Sequence, residues 1–285
     1  MGLSLSNNNS STGPKFRKKK MSRIKNGPVL WIDFTDRRTV YSDDMSTKAN
    51  HNDGIYAVSN KAFDKRFGKA DDHALGTALK QATADNRPTY RFSGDGLNYA
   101  LFADADDKLS ATETVGNVGS NLLSQSRLEG NALTLFAVFN LVNSSGQCNV
   151  FSMKSGASDG GVDPMALQID SVSQNVTFFI SDQSDKAGTV VVNSGTTTTN
   201  NVLQLWTVKL AASGSSVMKK NGSPKIQNGG SKNHGYAFDQ NSNHLIEIAG
   251  HLNGLHVYEI LVFNEILPDK EIVEVERQLK QKYNL

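Results

Sequence analysis

Hydrolysis of a glycan needs two carboxylates set across a cleft, and a strand delivers them as alternating acids of the form Glu-x-Asp-x-Glu. The chain contains no such run. Its nearest strand acids, Glu247 and Glu259, each stand single between apolar neighbours, the setting of a structural or hydrogen-bonding carboxylate. No enzyme activity is expected. Asp104, Asp106 and Asp107, with Asp95 upstream, gather the oxygen ligands that calcium takes about six to eight at a time, and the same aspartates also suit an ordinary solvated turn. The cofactor expectation is none, with calcium as the one candidate. His51, His73, His234, His244, His251 and His256 have no Cys partner and no His-x-x-x-His helix pair, so a transition-metal site is not indicated. Cys148 is the only cysteine, which excludes an intrachain disulfide; beside Asn149-Val150-Phe151 it reads as a buried, inert thiol.

The sharpest local feature is electrostatic. Lys15, Arg17, Lys18, Lys19, Lys20, Arg23 and Lys25 place seven cations within eleven residues, after a charge-free, Ser/Asn-rich leader, and no acid occurs before Asp33. Removing these seven from the formal net charge of +2 leaves about −5 for the remainder. Residues 1–28 therefore read as a basic arm that cannot bury enough apolar surface to fold alone and orders when it docks on a partner. Met1-Gly2-Leu3-Ser4-Leu5-Ser6 loosely fits a myristoylation pattern, which means nothing in a bacterial cytoplasm. No run is long and apolar enough to span a bilayer, and the N-terminus lacks the apolar core of a signal peptide.

Residues 29–285 must position whatever chemistry there is, and they read as one β-rich domain. With 24 glycines and 38% hydrophobic residues, the composition fits short strands, frequent turns and a real core. Leu203 to Leu210 reads as a central strand with two apolar faces. Leu97, Tyr99, Leu101 and Leu109 follow a two-residue period. Gln168-Ile169-Asp170 and Asn175 to Ile180 suggest a hairpin, Asn221-Gly222 a tight turn, and Gly94-Asp95-Gly96 and Gly229-Gly230 further reversals. Asp43 to Ala84 is a long excursion with a short helix expected near His73 to Gln81. Leu245 to Gly250 and Leu255 to Phe263 read as the two strands of a hairpin. Pro268 then opens a helix whose Ile272, Val275 and Leu279 pack, while Lys280, Gln281 and Lys282 stay wet.

These pieces fall in a familiar order. Trp31-Ile32-Asp33 as opening strand, Asn86-Arg87-Pro88-Thr89-Tyr90 as lead-in to the next, and Trp206-Thr207-Val208 with Asn221-Gly222 precede the ending Gly254, Glu259-Ile260-Leu261-Val262, Leu267-Pro268, Leu279, Lys282-Tyr283. The chain thereby resembles the concanavalin A-like, laminin-G-type jelly roll found in tailed-phage virion structural proteins and bacterial surface proteins. The resemblance implies an all-β, two-sheet antiparallel sandwich with a C-terminal helix and an extended N-terminal arm. It leaves function open, since this fold hosts lectins, hydrolases and inert modules alike. Two readings stand. In the first, the chain is a phage virion structural protein, a capsid decoration or cement made in the host cytoplasm and anchored by its arm to capsid or tail proteins, itself as monomer or homo-oligomer. In the second it is a carbohydrate-binding, lectin-like adhesion module that contacts host surface glycans. Membrane and nucleic acid are not expected partners.

Overall fold

The computed structural model describes residues 27–28, 30–63, 78–104, 106–113, 133–142, 148–155, 165–169, 175–180, 190–198, 200–210, 216–227, 244–248, 254–263 and 265–285. The basic arm, Gly229-Gly230 and most of the helix expected near His73 lie outside these residues.

Two antiparallel sheets face each other. Sheet A contains β1 (Leu30–Asp33), β5 (Thr89–Arg91), β6 (Tyr99–Phe102), β8 (Leu133–Leu141), β13 (Gln204–Leu210), β14 (Val217–Lys220), β15 (Ser223–Gln227) and β17 (Leu255–Phe263). Its order is β15-β14-β13-β8-β17-β6-β5, with β1 also paired to β17. Sheet B runs β12 (Val190–Thr197), β11 (Asn175–Ile180), β10 (Met165–Ile169), β9 (Cys148–Ser155), β16 (His244–Ile248), β7 (Leu109–Glu113), β4 (Ala78–Lys80), β3 (Ala57–Ser59) and β2 (Val40–Tyr41). Among the described residues one α-helix, α1 (Asp269–Tyr283), lies on the outer face of sheet A.

Alternation within each strand explains why there are three layers. In β8, Leu135, Ala137, Phe139 and Leu141 enter the core between the sheets, together with Val150, Phe151, Leu167 and Ile246 from sheet B. Phe136 and Val138 point the other way and pack with Leu261 and Phe263 of β17 under Ile272, Val275 and Leu279 of α1. Both faces of β8 are thus buried from Leu133 to Phe139. β13 is central as well, between β8 and β14, and Asn221-Gly222 joins β14 to β15 with both residues at positive φ. Cys148 is buried in the intersheet core.

Three expectations need correcting. The strands 244–248 and 255–263 are not a hairpin: β16 pairs with β7 and β9 in sheet B, β17 with β6, β8 and β1 in sheet A. Two apolar strands in succession can each complete a different sheet, and local pattern cannot distinguish that from mutual pairing. The end of the expected helix, Ala78 to Lys80, is β4. Lys282 is buried rather than wet, for a reason given below.

The helix is fastened at its start. Thr134 Oγ1 donates to Glu265 O at 2.9 Å and accepts from Leu267 N at 3.0 Å, which fixes the Leu267-Pro268 turn on β8. Asp269 and Glu271 sit in the first turn of α1 and Lys280 and Lys282 in the last, each complementing the helix dipole. Asn284, at φ 54°, ends the helix in the left-handed region. Among the described residues no helix is long and apolar enough to cross a membrane.

Candidate functional site

Two clusters on the outer face of sheet A carry the molecule's polar chemistry, one sealed and one open. A bulge in β17 creates the first. Val257 pairs with Phe139 of β8, but Glu259 pairs with Val138, so Tyr258 is the extra residue and Tyr258 and Glu259 both turn outward. Glu259 is opposite Asp33 of β1 in register. Glu259 is fully buried and accepts from Trp31 Nε1, Lys282 Nζ and Tyr283 Oη, each at 2.7 Å. Asp33 accepts from Lys282 Nζ at 3.1 Å, Lys61 Nζ at 2.8 Å and Thr35 Oγ1 at 2.6 Å. Lys61 also lies 4.6 Å from the Trp31 ring centroid.

Burial alone would raise the Asp33 carboxyl, but Lys282 and Lys61 outweigh it and hold the group well below the ordinary carboxylate range. Lys61 moves up: burial opposes, while Asp33 and Glu259 favour its charged form. Two carboxylates thus face two ammoniums in a closed lattice. With side-chain exposures of 3% for Asp33 and 0% for Glu259, no substrate reaches them as packed. The lattice ties β1, β17 and α1 together.

The open cluster lies where the helix does not cover sheet A. Cross-strand register sets Asn140 (β8), His256 (β17), Leu101 (β6) and Thr89 (β5) in one row, with Tyr99 and Arg91 paired in the next. The imidazole of His256 stacks on Tyr99 at 4.2 Å between centroids and 23° between planes. Tyr99 in turn contacts Tyr258 at 5.3 Å. Tyr99 and His256 are both half-buried. Burial, assisted by Arg91, pushes His256 down to about 4, so the ring is neutral at ordinary pH. Asn140 Oδ1 and Arg91 Nε are shielded from solvent yet have no hydrogen-bond partner among the described residues. A flat aromatic pair at the surface suits a ligand with one apolar face.

The residues singled out by sequence fare unevenly. Glu247 is buried beside Lys108 at 3.6 Å. Asp107 turns its carboxylate back onto the N–H groups of Ala103, at 2.7 Å, and Asp104, at 3.1 Å; Asp104 and Asp106 are exposed. Asp95 caps its own turn through Ser93 Oγ and Leu97 N. Among the described residues no three His, Cys, Asp or Glu side chains gather as a metal site. Lys15, Arg17, Lys18, Lys19, Lys20, Arg23 and Lys25 lie outside the described residues. Asp33, Lys61, Tyr99, Arg91 and Asn140 were not legible as site residues, because each acquires its role from a neighbour on another strand.

No protein-family model matches the chain, and no curated protein matches its sequence. Among solved structures, the fold is similar to the botulinum neurotoxin serotype D ligand-binding domain in complex with N-acetylneuraminic acid, with TM-score 0.51 and 12% identity over 90% of this chain and 52% of that one. A mutant of the HCR D/C protein gives TM-score 0.50 and 12% identity, over 79% and 52%. A Trypanosoma rangeli sialidase in complex with sialic acid gives 0.46 and 12%, over 72% and 30%. The chain spans about half the length of the first two. At this identity the likeness is one of fold, and it agrees with the two-sheet sandwich described above.

Proposed function

We propose that the folded body is a carbohydrate-binding module, and that a sugar ring packs at the open face of sheet A against Tyr99 and His256. The observation that carries this reading is the stacked, half-buried aromatic pair of Tyr99 and His256 on the part of sheet A beside the helix. A sugar's C–H face matches such rings. The serotype D neurotoxin domain, about half of whose length this fold matches, is in complex with N-acetylneuraminic acid, and that supports the reading.

The test is a glycan array with the full chain, followed by calorimetry on any hit. Tyr99→Ala and His256→Ala should each weaken binding about tenfold or more without changing the melting temperature much. Because His256 titrates near 4, affinity should be flat between about pH 8 and 5 and fall as pH approaches 4. A hit indifferent to both substitutions would sink this site.

The virion reading rests on a different observation, the seven cations of Lys15 to Lys25 ahead of a body of opposite net charge. An arm of that kind suits docking between subunits of a particle. The two readings are compatible, since a particle protein can also hold a host glycan.

A further inference from the structure

Beside the open face, the turn 50–53 holds two guanidinium groups through neutral oxygens. The turn is pinned to β5, Asn52 N donating to Tyr90 O and Tyr90 N to Asp53 O, both at 2.8 Å. Asp53 is used within it, its Oδ2 accepting from Asn50 N at 2.7 Å. Arg37 donates Nε to Ala49 O at 3.1 Å and Nη2 to Asn50 Oδ1, while Arg91 donates Nη1 to Asn52 Oδ1. These partners are neutral oxygens. Elsewhere, Arg38 and Arg277 hold the carboxylates of Asp36 and Glu274. Among the described residues neither Arg37 nor Arg91 has a carboxylate partner, and each keeps N–H groups to spend.

An aromatic platform adjoins them. Phe92 is one of three exposed large apolar side chains among the described residues, and Arg37 lies 5.4 Å from its ring centroid. His51 accepts from Phe92 N at 2.9 Å and has its ring 5.5 Å from that of Phe92. Phe92 stands edge-on to Tyr90 at 5.4 Å while Arg91 is the direct cross-strand neighbour of Tyr99, so this platform borders the face assigned above to a sugar at the edge strand β5.

We infer that Arg37 and Arg91 form an anion-selective subsite for an acidic glycan, gripping a carboxylate or sulfate while the adjoining sugar packs on Phe92 and His51. The inference rests on the carbohydrate reading and adds the class of sugar. Oriented guanidinium forks are suited to planar or tetrahedral oxyanions, and the loop prepays their ordering.

The experiment is calorimetry of the full chain with lactose, sialyllactose and sulfated lactose. The acidic sugars should bind at least about tenfold tighter than lactose, with the preference shrinking as salt rises from about 50 to 500 mM. Arg37→Gln, which leaves the Tyr99 and His256 face untouched, should remove most of that preference and leave lactose binding within about twofold of the wild type. Arg37→Lys with Arg91→Lys, which retains charge and fold but not the fork, should retain only part of it. Equal affinity for all three sugars, or equal loss of all three in the Gln variant, would overturn the acidic subsite alone. Failure of all three to bind the wild type would overturn the carbohydrate reading and this inference with it.

Discussion

At the scale of single residues, Lys282 shows how a long-range partner overrides a local pattern. Its place among Lys280 and Gln281 marks it as polar surface, yet it is buried because Asp33 and Glu259, 249 and 23 residues away, converge on it. Removing one member of such a lattice strands the rest. Lys282→Met should cost about 3–5 kcal/mol, measured by denaturant unfolding. Asp33 also sets the acid response. Its carboxyl is held below the ordinary 3.8 in the folded chain, so an unfolded chain takes up the proton first. The stabilisation is complete above about pH 4 and drains away as pH falls further, and Asp33→Asn should flatten that part of the stability profile while lowering stability at neutral pH. Glu259 was legible as a structural acid because it interrupts an apolar strand. Asp33 and Lys61 were not, since nothing adjacent to either in sequence reveals the other.

Elements were easier to recognise than their pairings. The apolar runs of β8, β13 and β17 and the amphipathic spacing of α1 are visible because a buried face imposes a period of two or about 3.6 on its residues. Which strand lies beside which is a matter of hydrogen-bond register, and side-chain hydropathy barely reports it. That is why β16 and β17 look like a hairpin and yet belong to different sheets. The open site escaped for a related reason: Asn140, His256, Tyr99 and Arg91 lie on four strands, and only their register brings them together. The Thr134 clasp tests how far one side chain fixes an element. Thr134→Val keeps the shape but leaves Leu267 N–H without its acceptor, so a loss of about 1–3 kcal/mol is expected, with the far end of α1 still docked by amide exchange. No loss would mean that α1 is held by its apolar face alone.

For the molecule as a whole, the resemblance to a jelly roll anticipated two sheets and a closing helix, while the arm and several connections lie outside the described residues. The strand order has a further implication for synthesis. β17, near the C-terminal end, is not an edge strand: it lies between β8 on one side and β6 and β1 on the other, and α1 then covers it. A chain emerging from the ribosome in N-to-C direction therefore has β1, β6 and β8 long before the strand that joins them. Contacts of such sequence separation form slowly and late. Sheet A should remain incomplete, its apolar strands in need of chaperone cover, until β17 and α1 have been made. Arrested nascent chains of increasing length should be digested readily by protease at every length short of Tyr283, with resistance arriving in one step. A ladder of resistant partial products would show that one sheet matures alone. If resistance does arrive in one step, termination anywhere before Tyr283 discards the whole product, and the cell is spared a half-built protein with an exposed sticky face.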